Sequence, residues 1–343
     1  MTIDDRRQMF ISIRRQSSVV RRLPPQMLVS IITPSYNQSA YLEQAIQSVL
    51  GQDYTPLEYI VVDGGSADGS AEIIQRYASR LAWWVSERDA GQADAINKGL
   101  RRASGEIVAW LNSDDLYQPG AIAQAVAALR DHPEAGLAFG DAITIDAAGK
   151  RINRLSFGDW GLQELMRFRI ICQPSVFMRR SIAEEAGLLD PSYHFLLDHQ
   201  LWLRIASLAP VVHVPGVWAA ARHHTGAKNV AQAAGFGEEA FRILAWMETH
   251  PPLAPRLAGD RRRIEAGAHR LNARYLLDGG MPGPALLAYG GALVRSPRFA
   301  LQHAHRMLYA LVSLVGGKRL AQRLYQAKNA SKEGKNRGIQ ENE

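Results

Sequence analysis

The sequence predicts an α/β fold: a mostly parallel sheet with helices on both faces, followed by a helical C-terminal appendage. Three observations carry this. From residue 28 to about residue 140, short apolar runs alternate with segments of helical spacing, the pattern of a sheet wrapped by crossover helices. The apolar runs end in polar clusters rich in Asp, Asn, Ser and Gly. After about residue 230 strand signals stop, and Leu, Ala and Arg recur at helical spacing.

Residues 1–27 are polar and basic, with Arg6, Arg7, Arg14, Arg15, Arg21 and Arg22, and read as an arm. Order begins at Leu28–Pro34, an apolar run ended by proline as a buried parallel strand is. Residues 39–51 carry Tyr41, Leu42, Ala45, Ile46, Val49 and Leu50 on one helical stripe, with Ser39 as N-cap and Gly51 as stop. Leu57–Val62 reads as a strand closing on Asp63, 72–77 as helix, 81–85 as strand and 92–103 as helix. Ile107–Leu111 is a strand, Ala121–Leu129 an Ala-rich helix behind Pro119, and Leu137–Phe139 a strand. Residues 143–145 and 151–155 flank Asp146-Ala147-Ala148-Gly149-Lys150, a hairpin turn. The expected division is an arm at 1–27, an α/β domain at 28–230, helices at 231–330 and a disordered tail at 331–343.

Of the 343 residues 47% are hydrophobic, and the net charge is +7. Such an excess of base points to an anionic partner or simply to a basic surface. The basic clusters lack interleaved aromatics, which argues against nucleic acid. Cys172 is the lone cysteine, so no internal disulfide forms. No secretory leader is evident, and no run approaches the roughly 18 apolar residues of a spanning helix. Residues 307–315 read as a packed helix, with a membrane interface as the alternative. A cytoplasmic location is expected, with peripheral contact at the inner face of the cell membrane.

Ligands of open parallel sheets bind beyond the carboxyl ends of the strands. Four predicted strand ends are polar: Thr33-Pro34-Ser35-Tyr36-Asn37, Asp63 to Ser70, Ser86-Glu87-Arg88-Asp89 and Asn112-Ser113-Asp114-Asp115. They are expected to share one edge. Asp68 suits a helix cap, whereas Asp63 sits directly on a strand end and is expected to meet a ligand. Tyr36 is either half-buried or a platform for a base. One carboxylate would suffice to cap the helix after Pro119, so the second of Asp114 and Asp115 points to a hard cation. The spacing of a P-loop, of the dinucleotide fingerprint and of a zinc site is absent.

Taken together, VSIITPSYN, YIVVDGGSADGS, SERDAGQADAINKGLRRASGEIVAWLNSDD and LLDHQLWLR resemble the inverting glycosyltransferases of family 2, which have the Rossmann-like GT-A fold. The resemblance spans roughly residues 28–230. It implies that Pro34, Tyr36, Asn37 and Asp63 hold the donor nucleotide, and that Asp114 and Asp115 hold Mg²⁺ or Mn²⁺ on its diphosphate. Asn112 stands where the acidic motif commonly begins with Asp, and would face the ribose. Asp198 matches the catalytic base. Leu197 replaces the usual Glu before it, and with that like charge gone Asp198 is expected to ionise more readily. His224, in Arg222-His223-His224, and Arg88 would assist the leaving diphosphate. Gln173 and Trp202 fall on the acceptor side.

The implied reaction moves a sugar from a nucleotide diphosphate to a hydroxyl. A UDP-sugar is the first donor expected, because Asp63 suits the ring N–H of uracil; guanine and thymine nucleotides are also compatible. The implied acceptor is a lipid-linked glycan of bacterial surface polysaccharide assembly. Two rivals stand beside this: a sugar nucleotidyltransferase, which would need a Gly-rich, Arg-containing loop after the first strand, and a degenerate nucleotide-sugar-binding protein.

Overall fold

The computed structural model describes residues 26–224, 226 and 232–314. The predicted tail, and the predicted arm save for Gln26 and Met27, lie outside these residues. The chain runs β1 (Val29–Ser35), α1 (Ser39–Leu50), β2 (Leu57–Asp63), α2 (Ser70–Tyr77), β3 (Trp83–Ser86), α3 (Gln92–Arg102) and β4 (Ile107–Trp110). It continues through β5 (Leu116–Tyr117), α4 (Ala121–Asp131), β6 (Leu137–Ile145), β7 (Arg151–Leu155), α5 (Leu162–Met166), β8 (Val176–Arg179), α6 (Arg180–Glu185), α7 (Leu197–Leu208) and β9 (Val211–Arg222). The helical region is α8 (Ala233–Thr249), α9 (Ala254–Asp278), α10 (Pro282–Arg295), α11 (Pro297–Ala300) and α12 (Ala304–Leu314).

One sheet has the order β3-β2-β1-β4-β8-β6-β9-β5, with β7 added on β6. The first four strands are parallel: Ile32 pairs Ile60 on one side and Trp110 on the other. All seven residues of β1 are buried, as expected of a strand covered on both faces. Its alternate residues feed two cores. Val29 and Ile31 join Tyr59, Val61 and Ala109 beneath α1, α2 and α4. Ile32 joins Ile60, Val62 and Val108 beneath α3. There Gly99 lies so near β1 that a Cβ would stand 2.5 Å from Ile32 Cγ2.

Beyond β4 the sheet becomes mixed. β8 is antiparallel to both β4 and β6, while β9 runs parallel to β6. Residues 137–145 are one nine-residue strand rather than two short ones, and β7 returns beside it across the predicted turn. Ser39 is not the cap of its helix. Its N–H donates instead to Asp68 Oδ2 at 2.8 Å, while Asp68 Oδ1 accepts from Ser70 N at 3.1 Å. One carboxylate therefore anchors the first turns of both α1 and α2, about 30 residues apart in sequence.

The C-terminal helices are not a detached unit. Phe236, Ala240, Ile243, Met247, Leu257, Ile264, Leu271 and Tyr275 share one buried cluster with Ile32, Trp110, Phe139 and Trp202 of the sheet layer. Full burial of such side chains stabilises by roughly 1.5–3 kcal/mol each, so this seam is a main element of the fold. Polar contacts cross it as well, among them Arg167 Nε to Asp260 Oδ2 at 2.6 Å. Glu239 of α8, 6% exposed, accepts hydrogen bonds from His194, Phe195 and Leu196 N–H at 2.6, 2.9 and 2.7 Å. That loop leads directly into α7. Glu239→Ala would leave three N–H groups without partners, and should lower unfolding free energy by about 2–4 kcal/mol. Urea denaturation measures this; an unchanged midpoint would mean that the loop does not need the carboxylate.

Candidate active site

The polar strand ends do meet. They form the floor of an open cleft of about 2260 Å³. Pro34 and Tyr36 enter from β1, Gly64 and Gly65 from the loop after β2, Arg88 from the loop after β3, and Asn112, Asp114 and Asp115 from the end of β4. Gln173, Asp198 and Arg222 to His224 also line it, and the C-terminal helices add Arg270, Arg274, Tyr275 and Arg306. Asp114, Asp115 and Asp198 thus open onto the same space.

The adjacent carboxylates are held by Arg222. Its N–H donates to Asp115 Oδ1 at 2.9 Å and its Nε to the Asp114 carbonyl at 2.8 Å. Its Nη atoms reach the carbonyls of Asp146 and Ala147 and the side chain of Gln44. Asp115 Oδ2 accepts from Asn112 Nδ2 at 3.3 Å, so both its oxygens are engaged. Burial, and then the charge of Asp114, hold the Asp115 carboxyl well above the usual carboxylate range. Asp114 is turned outward: its Oδ2 lies 3.1 Å from His224 Nε2. The His224 ring is steadied by Tyr41, with centroids 5.0 Å apart.

Asn112 is fixed from two sides. Its Oδ1 accepts from Gln92 Nε2 at 2.9 Å, and its Nδ2 donates to Gln173 Oε1 at 3.1 Å. Gln173 Nε2 donates in turn to the Trp110 carbonyl at 2.8 Å. Gln173, expected on the acceptor side, therefore also positions the acidic corner.

Asp198 lies in the first turn of α7 and receives the His199 N–H at 2.6 Å. Burial raises its pKa to about 6, against the lowering effect of that bond, and the charge of Glu239 adds a little. The expectation of readier ionisation is thus overturned. Loss of a neighbouring Glu at Leu197 counts for less than desolvation. His199 beside it stacks on Phe168 and is lowered to about 4 by burial, so it stays neutral.

Three predicted residues do not line the cleft. Asp63 is fully buried. Its Oδ2 accepts from Gly65 N, Ser66 N and Ser86 Oγ and its Oδ1 from Ser66 Oγ, all within 2.5–3.1 Å. It shapes the loop in which Gly65 takes φ +79°, a left-handed value that favours glycine. Asn37 ties two loops together, donating its N–H to Ser66 Oγ and accepting from Ala67 N. Trp202, 1% exposed, stacks on Trp110 at 5.1 Å within the core. Its spacing with Leu201 and Ile205 is that of a packed helix face. Arg222 and Gln92, by contrast, carry much of the geometry without having been singled out. Only the conjunction of basic residues after the last strand hinted at Arg222.

An acidic corner at the end of a parallel strand, in a mixed sheet of this order, is the architecture of GT-A glycosyltransferases. The sequence profile described as Glycosyl transferase family 2 matches residues 30–185. The chain is 30% identical over 184 residues to the PGL/p-HBAD biosynthesis glycosyltransferase of Mycobacterium bovis BCG, covering 52% of this chain and 70% of that one. It belongs to glycosyl transferase family 2. Two solved structures share the fold. S. aureus TarS 1-349 in complex with UDP has TM-score 0.58 at 17% identity, covering 88% of this chain and 92% of that one. The mannosyltransferase PcManGT of Pyrobaculum calidifontis, in complex with GDP-Man and Mn²⁺, has TM-score 0.56 at 22% identity, covering 89% and 86%.

The Asp198 pKa has a consequence for stability. An unfolded Asp titrates near about 3.9, so the folded chain holds this proton more tightly. Its contribution to stability is full below about pH 4 and is lost as pH rises through about 6. Asp198→Asn should therefore be more stable than the parent above pH 6.5, by on the order of 2 kcal/mol, and equal to it near pH 4. Denaturant melts at both pH values test this; parallel curves for parent and variant would contradict it.

Proposed function

We propose that the chain is an inverting glycosyltransferase that moves a sugar from a nucleotide-diphosphate sugar to an acceptor hydroxyl, with Asp198 as general base. The observation that carries this is the placing of Asp198, with its pKa of about 6, in one cleft with the Asp114–His224 pair. A base of that pKa is ionised at neutral pH yet far more basic than an exposed Asp, as proton abstraction from an alcohol requires. Attack on the face away from the diphosphate inverts the anomeric carbon.

The donor set suits a divalent cation. Asp114 Oδ2 and His224 Nε2 stand 3.1 Å apart at the open rim, whereas both oxygens of Asp115 are engaged. Among the described residues no group of three or more His, Cys, Asp or Glu side chains gathers as a cage. Mg²⁺ and Mn²⁺ fit such a site, because they keep positions for water and phosphate oxygens. Asp114 and His224 would hold the ion, with Asp115 packed behind them. When bound, it would neutralise charge growing on the leaving diphosphate. Tyr36, 62% exposed at the rim, offers a ring for the base, and Arg88 offers a guanidinium to the phosphates. A UDP-sugar is the first donor to try, since the TarS structure of the same fold holds UDP; a GDP-sugar is the second.

The acceptor is proposed to be a lipid-linked glycan of surface-glycan assembly. The relative named for PGL/p-HBAD biosynthesis supports that class. So does α12, which lends His305, Arg306 and Tyr309 to the cleft and exposes more than half of Leu308, Leu311 and Leu314. An apolar face of this kind suits a membrane interface. No helix among the described residues is long and apolar enough to cross a membrane.

Two measurements test this reading. Asp198→Asn should keep nucleotide-sugar affinity and lose transfer by about 10²–10⁴-fold; transfer at the parental rate would remove Asp198 from the chemistry. Asp114→Ala should abolish the gain in UDP- or GDP-sugar affinity that Mn²⁺ gives the parent. Calorimetry with and without the ion decides this, and an affinity gain that persists in the variant would exclude Asp114 as a ligand.

A further inference from the structure

The cleft carries a second charge cluster, far in sequence from the acidic corner and of opposite sign. Arg169, in the loop after α5, and Arg270, on α9, both donate to Gln302 Oε1, at 3.3 and 3.0 Å. Both guanidinium groups lie over the Phe299 ring, 5.9 and 3.8 Å from its centroid. Arg270 is only 6% exposed. Burial, and next the charge of Arg169, lower its pKa to about 10. Arg274, one turn further along α9, lines the same wall. Its Nε makes no hydrogen bond and is ion-paired at 3.7 Å with Asp278 Oδ2. His303, enclosed by these groups, is lowered to about 2, first by burial and then by Arg270, Arg306 and Arg274.

Like charges drawn together in a half-buried wall repel, and burial strengthens the repulsion. Among the described residues, neither Arg169 nor Arg270 has a carboxylate within ion-pairing distance. A tyrosine, a glutamine and a phenylalanine would pack this wall at lower electrostatic cost. The arrangement makes physical sense if an anion from outside completes it. Forked guanidinium donors match the oxygens of phosphate. The wall is not the donor's phosphate site, which the acidic corner and His224 define at the strand ends. It begins beside the catalytic groups, where Arg274 acts electrostatically on His223 and Cys172. From there it runs along α9 to Arg270 and Arg169, next to the helix with the exposed leucines.

We propose that Arg169, Arg270 and Arg274 form an acceptor subsite that binds a phosphate group carried by the sugar-accepting molecule. The proposal rests on the reading of the chain as a glycosyltransferase and adds the chemistry of its acceptor. The phosphate belongs either to a lipid diphosphate headgroup or to a polyol-phosphate chain. Both present the same oxygens, so the two sources are separated by experiment.

The test is calorimetry on the full chain with Mn²⁺ and saturating UDP or GDP, so that the donor's own phosphate site is filled. The probes are geranyl diphosphate and a short glycerol-phosphate oligomer, each beside its phosphate-free counterpart, geraniol and glycerol. At least one phosphate probe should bind, and Arg169→Ala and Arg274→Gln should each weaken it tenfold or more while nucleotide affinity stays within twofold. Arg261→Ala, which removes an exposed ion pair elsewhere on α9, should match the parent. Preference for the prenyl probe assigns a lipid-borne acceptor, and preference for the oligomer a polyol phosphate. Nucleotide binding with no phosphate-probe binding, or probe binding untouched by both substitutions, overturns the subsite alone. A parent that binds neither nucleotide overturns the transferase reading beneath it.

Discussion

Everything at the acidic corner depends on Arg222. Two neighbouring carboxylates at the end of a buried strand repel each other and lose hydration, and either effect alone would bend the loop away. Arg222 holds them from behind. It donates to Asp115 through its backbone and to the Asp114 carbonyl through its side chain. It also joins β9 to the 146–147 turn and to Gln44 of α1, with its guanidinium 4.7 Å from the Tyr41 ring centroid. One buried side chain thus ties four segments at the place where they must not drift. What remains for Asp114 is the freedom to face outward towards His224.

Asp198 has its own support, from the other end of the chain. The loop before it is pinned by Glu239, and Asn97 exchanges two hydrogen bonds with Leu189 a few residues upstream. The acidic corner is therefore set by the strand ends, and the proposed base by α3 and α8. The two halves of the cleft meet at α3, whose first residue Gln92 donates to Asn112 Oδ1 at 2.9 Å. This division explains why desolvation dominates at Asp198: the surrounding helices remove water without offering a cation to replace it.

The alternating strands, the shared polar edge and the Asp68 cap were legible in the sequence because each rests on local periodicity or on one residue's side-chain chemistry. The antiparallel β8 and the long β6 were not, because register across a sheet is decided by distant partners. Asp63 and Trp202 lie away from the cleft surface, in their own loop and core, and the sequence does not show this. A strand-end aspartate and an aromatic residue in a helix look alike whether they face a ligand or their own loop and core, and only hydrogen-bond saturation and burial tell them apart. Arg222 was nearly invisible, since its side-chain partners lie 75 to 178 residues away. The arginine wall was equally hidden, being assembled from one loop and one helix about a hundred residues apart.

The seam between sheet and helices constrains how this architecture can be varied. A hybrid made by grafting another protein's tail at residue 231 would break the joint where Phe236 packs on Phe195, ring centroids 5.1 Å apart. Any change made through the helices must then bring its matching inner surface with it. The cleft wall and the interior behind it are inherited here as one block.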